Sequence, residues 1–108
     1  MALEIDLSGR VALVTGGSRG LGRADALTLA SAGADVAVLD IEDSTATAAD
    51  VEELGPRALA IRCDVADHEQ VRAAVERVVA ELGSAEILVA NAATLDHLGQ
   101  LPDQSREL

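Results

Sequence analysis

Four short apolar runs, separated by segments of helical periodicity, most constrain the fold of this 108-residue chain. The runs cover residues 10–14, 35–39, 58–62 and 87–90, and their lack of polar alternation is typical of strands buried on both faces. Strands that alternate with helices form a parallel sheet through right-handed crossovers, with helices on both faces. We therefore predict one α/β unit, a doubly wound parallel sheet of about four strands and three helices.

The three intervening segments carry helix signals. Residues 20–32 repeat small and apolar side chains at helical spacing, and Gly33 is suited to end that helix. Residues 44–54 form a second predicted helix, and residues 67–82 form a third that begins with a capping pattern at Asp67. The predicted inner faces of the second and third helices contain Ala48, Val51 and Leu54, and Val71, Ala74, Val75, Val78 and Leu82, respectively.

The composition excludes several classes of function. The net charge of −11 would repel the phosphates of nucleic acids and anionic membrane surfaces. No run approaches the roughly 20 apolar residues of a membrane span. The single cysteine, Cys63, precludes an internal disulfide and favours a cytoplasmic location. We expect Cys63 to be a small packing residue, and His68 and His97 to face solvent without binding a metal.

A cluster of glycines follows the first apolar run in the stretch VTGGSRGLGRA. Gly16 would let the chain leave the strand in a tight turn, Gly20 would let a phosphate approach, and Gly22 would let helix and strand pack closely. The start of the following helix has unpaired N–H groups and favours an anion. The alternative interpretation is a turn whose glycines serve packing alone.

Two common phosphate-binding patterns do not fit this loop. A Walker-type loop needs Lys and then Ser or Thr after its last glycine, whereas Arg23 and Ala24 stand there. The spacing of Gly16, Gly20 and Gly22 also differs from G-x-G-x-x-G. The pattern that remains is T-G-x-x-x-G-x-G.

That pattern resembles the glycine loop of the short-chain dehydrogenase/reductase family. The stretches CDVAD and VANAA resemble the family's adenine-contact and N-A-G segments, so that the similarity extends over nearly the whole chain. The resemblance implies a Rossmann-type fold and a nicotinamide cofactor. It assigns cofactor contacts to Gly16, Ser18, Arg19, Gly20, Leu21, Gly22, Asp40, Ile41, Asp64, Val65, Asn91, Ala92 and Ala93.

Individual roles follow from this resemblance. Asp64 would bind the adenine amino group, and the alternative role for an acid there is to cap a helix. Asn91 would lie beneath the nicotinamide ribose or brace its own loop. Ala93 stands where the family usually has glycine, which leaves a ribose less room.

Asp40 bears on the choice between NAD and NADP. A carboxylate at the end of the second strand can accept hydrogen bonds from the adenosine ribose and would repel a 2′-phosphate. Like charges about 4 Å apart interact at about 4 kcal/mol when the effective dielectric constant is near 20. Arg19 has the opposite effect, since it can pair with a phosphate. We predict a preference for NAD over NADP.

The catalytic Tyr and Lys of the family are absent, since the chain contains no tyrosine and no lysine. We therefore expect the chain to be the N-terminal, cofactor-binding portion of a longer oxidoreductase that acts on a small alcohol or carbonyl. The apolar fourth run would need a further strand beside it. The resemblance implies a homo-oligomer for the complete protein. The alternative is an NAD-binding module that senses or scaffolds without turnover.

Overall fold

The computed structural model describes residues 5–91 and contains a four-stranded parallel sheet in the order β3-β2-β1-β4. Three helices connect the strands, as the alternation of the sequence predicts. The elements are β1 (Val11–Thr15), α1 (Gly20–Ser31), β2 (Asp35–Asp40), α2 (Thr45–Glu53), β3 (Ala58–Arg62), α3 (His68–Glu81) and β4 (Ile87–Ala90).

The register aligns the carboxyl ends of the strands at one edge of the sheet. Thr15 of β1 is paired with Leu39 of β2 and with Ala90 of β4. Asp40 at the end of β2 is paired with Arg62 at the end of β3. The loops that follow the strands therefore lie side by side, which is where doubly wound sheets bind ligands.

Two apolar layers cover opposite faces of the sheet. Helices α1 and α2 pack against one face through small side chains that include Ala26, Ala30 and Val51. Helix α3 packs against the other face through Ala74 and Val78. Small residues on α1 let its backbone lie close to the sheet, and the predicted placement of helices on both faces is confirmed.

The ends of the helices follow the signals in the sequence. Gly33 has a φ of +105° and its N–H donates to the carbonyl of Ala30, so that it ends α1. At the start of α3, the Asp67 carboxylate accepts hydrogen bonds from the N–H groups of Glu69 and Gln70 at 3.0 and 3.3 Å. Predicted boundaries of helices and strands differ from the structure by one residue at most.

Three predictions of burial are wrong. Leu54 and Val75 are exposed because their helices turn other residues toward the sheet, and in α2 Thr47 is buried instead. Strand β4 is buried on one face only, and Leu88 is 66% exposed. The cause is that the apolar layer formed by α3 includes Leu13 and Leu39 but no residue of β4.

Within residues 5–91, no helix has the length and apolarity needed to cross a membrane.

Candidate functional site

The glycine loop between β1 and α1 is packed against its neighbours without room for side chains. A Cβ atom added to Gly22 would lie 2.0 Å from the carbonyl oxygen of Gly16, so that α1 begins directly against the end of β1. A Cβ atom on Gly17 would lie 2.3 Å from Cγ1 of Val38 on β2. Gly22 thus has the predicted packing role, while the role of Gly17 was not predicted.

The start of α1 has open space in front of it. Gly20 has a φ of +63°, which favours glycine, and no atom lies within 4 Å of the position of a Cβ atom. Arg19 at the N-cap makes no side-chain capping hydrogen bond, and the first turn contains no acidic residue. The unpaired N–H groups and the positive end of the helix dipole are therefore suited to an anion such as a pyrophosphate.

Asp40 is buried, with 8% of its surface exposed, and it supports the glycine loop. Its Oδ2 accepts from the N–H of Ser18, and its Oδ1 accepts from the N–H of Glu42, both at 2.9 Å. Burial acts to raise the pKa of Asp40, but the hydrogen bonds from Glu42, Ser18 and Ile41 together hold it below its usual value. An ionised carboxylate has about four acceptor positions, so that Asp40 retains some acceptor capacity beyond these backbone hydrogen bonds.

A second carboxylate lies near the loop. Glu42 Oε2 is 3.5 Å from Nε of Arg19 and 3.5 Å from the hydroxyl oxygen of Ser18. Arg19 is thus already paired with an acid in this structure. From the sequence, Arg19 was predicted as a possible partner for a 2′-phosphate, whereas Glu42 was not predicted, because its only signal is its position in the acidic stretch DIED.

The peptide bond between Gly17 and Ser18 is held at both ends. Its N–H donates to Asp40, and its carbonyl accepts a hydrogen bond of 2.8 Å from the hydroxyl of the fully buried Thr47. That hydroxyl also accepts from Nη1 of Arg23 at 3.0 Å, and Arg23 is in turn paired with Asp50. Helix α2 therefore fixes the glycine loop through Thr47, whose role was not predicted from the sequence.

Three exposed apolar side chains follow the carboxyl ends of successive strands. Leu21 at the start of α1 is 76% exposed, Ile41 after β2 is 64% exposed, and Val65 after β3 is 39% exposed. All three were among the predicted contacts. Exposed apolar side chains beside polar ones are typical of a surface that receives an amphipathic ligand.

Asp64 makes local hydrogen bonds. Its carboxylate accepts from the N–H of Ala66 at 2.9 Å, and its own N–H donates to Oε1 of Gln70 at 2.8 Å. The cap of α3 is Asp67, so the alternative of Asp64 as a helix-capping acid is not observed. The carboxylate of Asp64 retains acceptor capacity for a ligand amino group.

Asn91 follows β4 beside the end of β1. Its N–H donates to Oγ1 of Thr15 at 3.0 Å, and its side-chain amide donates to Oδ2 of Asp25 on α1 at 3.0 Å. The predicted contacts Ala92 and Ala93 lie outside the described residues. Asp25 was not identified from the sequence.

Cys63, His68 and His97 are the remaining candidate residues from the sequence. Cys63 is buried, and this burial, with the nearby Asp64 and Asp67, raises the pKa of its thiol, which disfavours the reactive thiolate. His68 is exposed, and His97 lies outside the described residues. Between residues 5 and 91, no group of three or more His, Cys, Asp or Glu side chains is arranged to hold a metal ion.

Comparison with known proteins places this geometry in a family context. The sequence profile described as short chain dehydrogenase matches residues 10–107. The (−)-trans-carveol dehydrogenase of Rhodococcus erythropolis is 41% identical over 100 residues, an alignment that covers 80% of this chain and 36% of that protein.

Two solved structures are similar in fold and sequence. A short chain dehydrogenase from Mycobacterium paratuberculosis bound to NAD has a TM-score of 0.79 and 36% identity, over 82% of this chain and 38% of that one. Carveol dehydrogenase from Mycobacterium avium in complex with NAD has a TM-score of 0.77 and 35% identity, over 82% of this chain and 37% of that one. The chain therefore spans less than two fifths of the length of these relatives.

Proposed function

The chain belongs to the short-chain dehydrogenase family, and from this premise we propose that it forms the nicotinamide-dinucleotide-binding part of an alcohol or carbonyl oxidoreductase. The dinucleotide, when bound, supplies or accepts a hydride. The glycine loop, Asp40 and the residues that follow the other strands would bind and orient it. A small alcohol or carbonyl is the proposed substrate, as the names of relatives such as carveol dehydrogenase and cyclohexanol dehydrogenase suggest.

The open, uncapped start of α1 is the observation that carries this proposal. It combines unpaired N–H groups, the positive end of a helix dipole and the open space in front of Gly20. A pyrophosphate would bind there, with Gly16, Ser18, Gly20 and Gly22 forming the surrounding backbone. Ile41 and Val65 would contact the adenine ring, and Asp64 would accept from its amino group.

We further propose that the cofactor is NAD rather than NADP. The support for this proposal is that the carboxylates of Asp40 and Glu42 both lie beside the glycine loop, and that Arg19 is already paired with Glu42. A 2′-phosphate would meet this negative charge with little compensation. Ribose hydroxyls would instead find free acceptor positions on Asp40.

Calorimetric titration with NADH and NADPH tests both proposals. We expect the unmodified protein to bind NADH about tenfold or more tightly than NADPH, and Asp40→Arg to reverse or abolish that preference. The ratio of the two dissociation constants is the informative quantity. Loss of the hydrogen bond from the Ser18 N–H to Asp40 would weaken the binding of both nucleotides together and leave that ratio unchanged. Glu53→Arg, at an exposed position on α2, changes the net charge equally and should leave the ratio unchanged.

Two results would contradict the proposals. If neither NADH nor NADPH produced any heat of binding, the proposed function itself would be refuted. Tighter binding of NADPH than of NADH by the unmodified protein would leave that function intact and refute the assignment of Asp40.

An assay of turnover distinguishes the proposed enzyme from the alternative, a non-catalytic NAD-binding module. The family's catalytic Tyr and Lys have no counterpart in these 108 residues, so the assay requires the complete protein. If the absorbance of NADH falls in the presence of cyclic ketones, NADH is being oxidised, and this result would support the proposal that the protein is an enzyme. A cytoplasmic location and a homo-oligomeric assembly remain predictions.

A further inference from the structure

We propose that Asp25 is a positioning residue that fixes the orientation of the Asn91 side-chain amide, so that its oxygen is available to a cofactor hydroxyl. This inference rests on the proposed function and identifies a specific determinant of the nicotinamide half of that site. Asp25 lies on α1, Asn91 follows β4, and 66 positions separate them in the sequence. The tertiary fold brings them within hydrogen-bonding distance.

The chemistry of the two side chains determines the orientation. An ionised carboxylate can only accept hydrogen bonds, whereas the two ends of an asparagine amide are a donor and an acceptor. Nδ2 of Asn91 therefore faces Asp25, at 3.0 Å from Oδ2, and the amide oxygen faces away from it. Without Asp25, the amide can rotate by 180° and exchange its donor and acceptor ends.

The backbone of Asn91 is fixed independently of its side chain. Its N–H lies 3.0 Å from Oγ1 and 3.3 Å from the carbonyl oxygen of Thr15, at the end of β1. The residue is thus held against the strand that leads into the glycine loop. With the backbone fixed by Thr15 and the amide by Asp25, the remaining function of the side chain is to present one acceptor oxygen at the carboxyl edge of the sheet.

Electrostatics alone cannot explain an acid at this position. A dinucleotide carries a negatively charged pyrophosphate, so a carboxylate on α1 opposes its binding at long range. Neutralising Asp25 should then strengthen binding if charge were its only effect. The positioning role predicts that neutralising Asp25 weakens cofactor binding, and this difference makes the inference testable.

The test compares how tightly the protein binds two probes, NADH and ADP. NADH contains the nicotinamide ribose, whereas ADP contains only the adenosine and pyrophosphate portions. We expect Asp25→Ala, which removes the acceptor for Nδ2 of Asn91, to raise the dissociation constant of NADH by about three- to tenfold, the usual worth of one hydrogen bond, and to leave that of ADP unchanged. Asp25→Glu retains an acceptor-only carboxylate and should recover part of the lost affinity. Glu53→Gln is the matched control for loss of one exposed carboxylate.

A double-mutant cycle shows whether Asp25 acts through Asn91. In an Asn91→Leu background, Asp25→Ala should cause no further loss of NADH affinity. An unchanged NADH affinity in Asp25→Ala, an equal weakening of NADH and ADP binding, or a full effect in the Asn91→Leu background would each overturn the inference. If the unmodified protein bound neither NADH nor ADP, that result would refute the proposed function itself, on which the role of Asp25 depends.

Discussion

The buried carboxylate of Asp40 supports the glycine loop, and we propose that the same group binds the adenosine ribose. It accepts backbone hydrogen bonds from Ser18 and Glu42, which support the glycine loop, and it keeps acceptor positions for a ligand. Its position at the end of β2 was predictable from the sequence, since the strand and the acid are adjacent. Its role in supporting the loop was not, because Ser18 lies 22 positions earlier.

The lowered pKa of Asp40 predicts how acid affects stability. A carboxyl group with a lower pKa in the folded state stabilises the fold above the unfolded value of about 3.9. That contribution disappears as the pH falls through the folded value. Urea unfolding should show Asp40→Asn to be less stable than the unmodified protein at pH 7, with the difference shrinking below about pH 3.9. A difference that is constant from pH 7 to pH 2.5 would contradict this account.

Gly22 provides a second prediction at this scale. In Gly22→Ala the new methyl group would meet the carbonyl of Gly16, which is backbone and cannot rotate away. We expect a loss of about 1–3 kcal/mol in the free energy of unfolding, and a loss of NADH binding because the start of α1 is displaced. Thr28→Ala, on the exposed side of the same helix, is the control. Wild-type affinity for NADH in Gly22→Ala would refute the role of close packing.

At the scale of elements, α2 supports the site without contributing a predicted contact. Its buried face contains Thr47, which bonds the carbonyl of Gly17 and accepts from Arg23. The apolar pattern of α2 predicted Leu54 on that face instead, because threonine does not count as apolar in such a pattern. A polar residue was favoured there because the glycine loop offers a carbonyl that needs a donor.

Thr47→Val tests this support. Valine has nearly the same shape but leaves the carbonyl of Gly17 and a guanidinium N–H of Arg23 without their partner. We expect the free energy of unfolding to fall by about 1–3 kcal/mol, as measured by urea denaturation, with weaker NADH binding. Thr47→Ser keeps the hydroxyl and should retain most of the affinity. Equal NADH affinity in the valine and serine variants would show that the hydroxyl does not position the loop.

On the scale of the whole molecule, the two faces of the sheet are covered unequally. The central strands β1 and β2 are buried between helices on both sides, whereas β4 is covered on one face and leaves Leu88 exposed. Stability should therefore differ between the strands. Local opening costs least where few apolar contacts have to be broken.

Amide hydrogen exchange measures this difference directly. In the 108-residue chain, we expect the hydrogen-bonded amides of β2 to exchange slowest and those of β4 fastest among the strands. The reason is that β2 is paired on both sides and includes Val36, Val38 and Leu39, which are almost fully buried. Equal protection of β4 and β2 would mean that the chain opens only as a whole.

The sequence by itself determined the order of the elements and their boundaries to within a residue, and it predicted the loop that would receive the proposed cofactor. It could do so because apolar periodicity, capping residues and glycine spacing are local properties. The tertiary structure alone decided which polar side chains meet: Asp25 with Asn91, Thr47 with Gly17, and Glu42 with Arg19. Such pairs depend on the rotation of each helix against the sheet and on the path of each loop. These follow from packing the whole chain and are not encoded in any single segment.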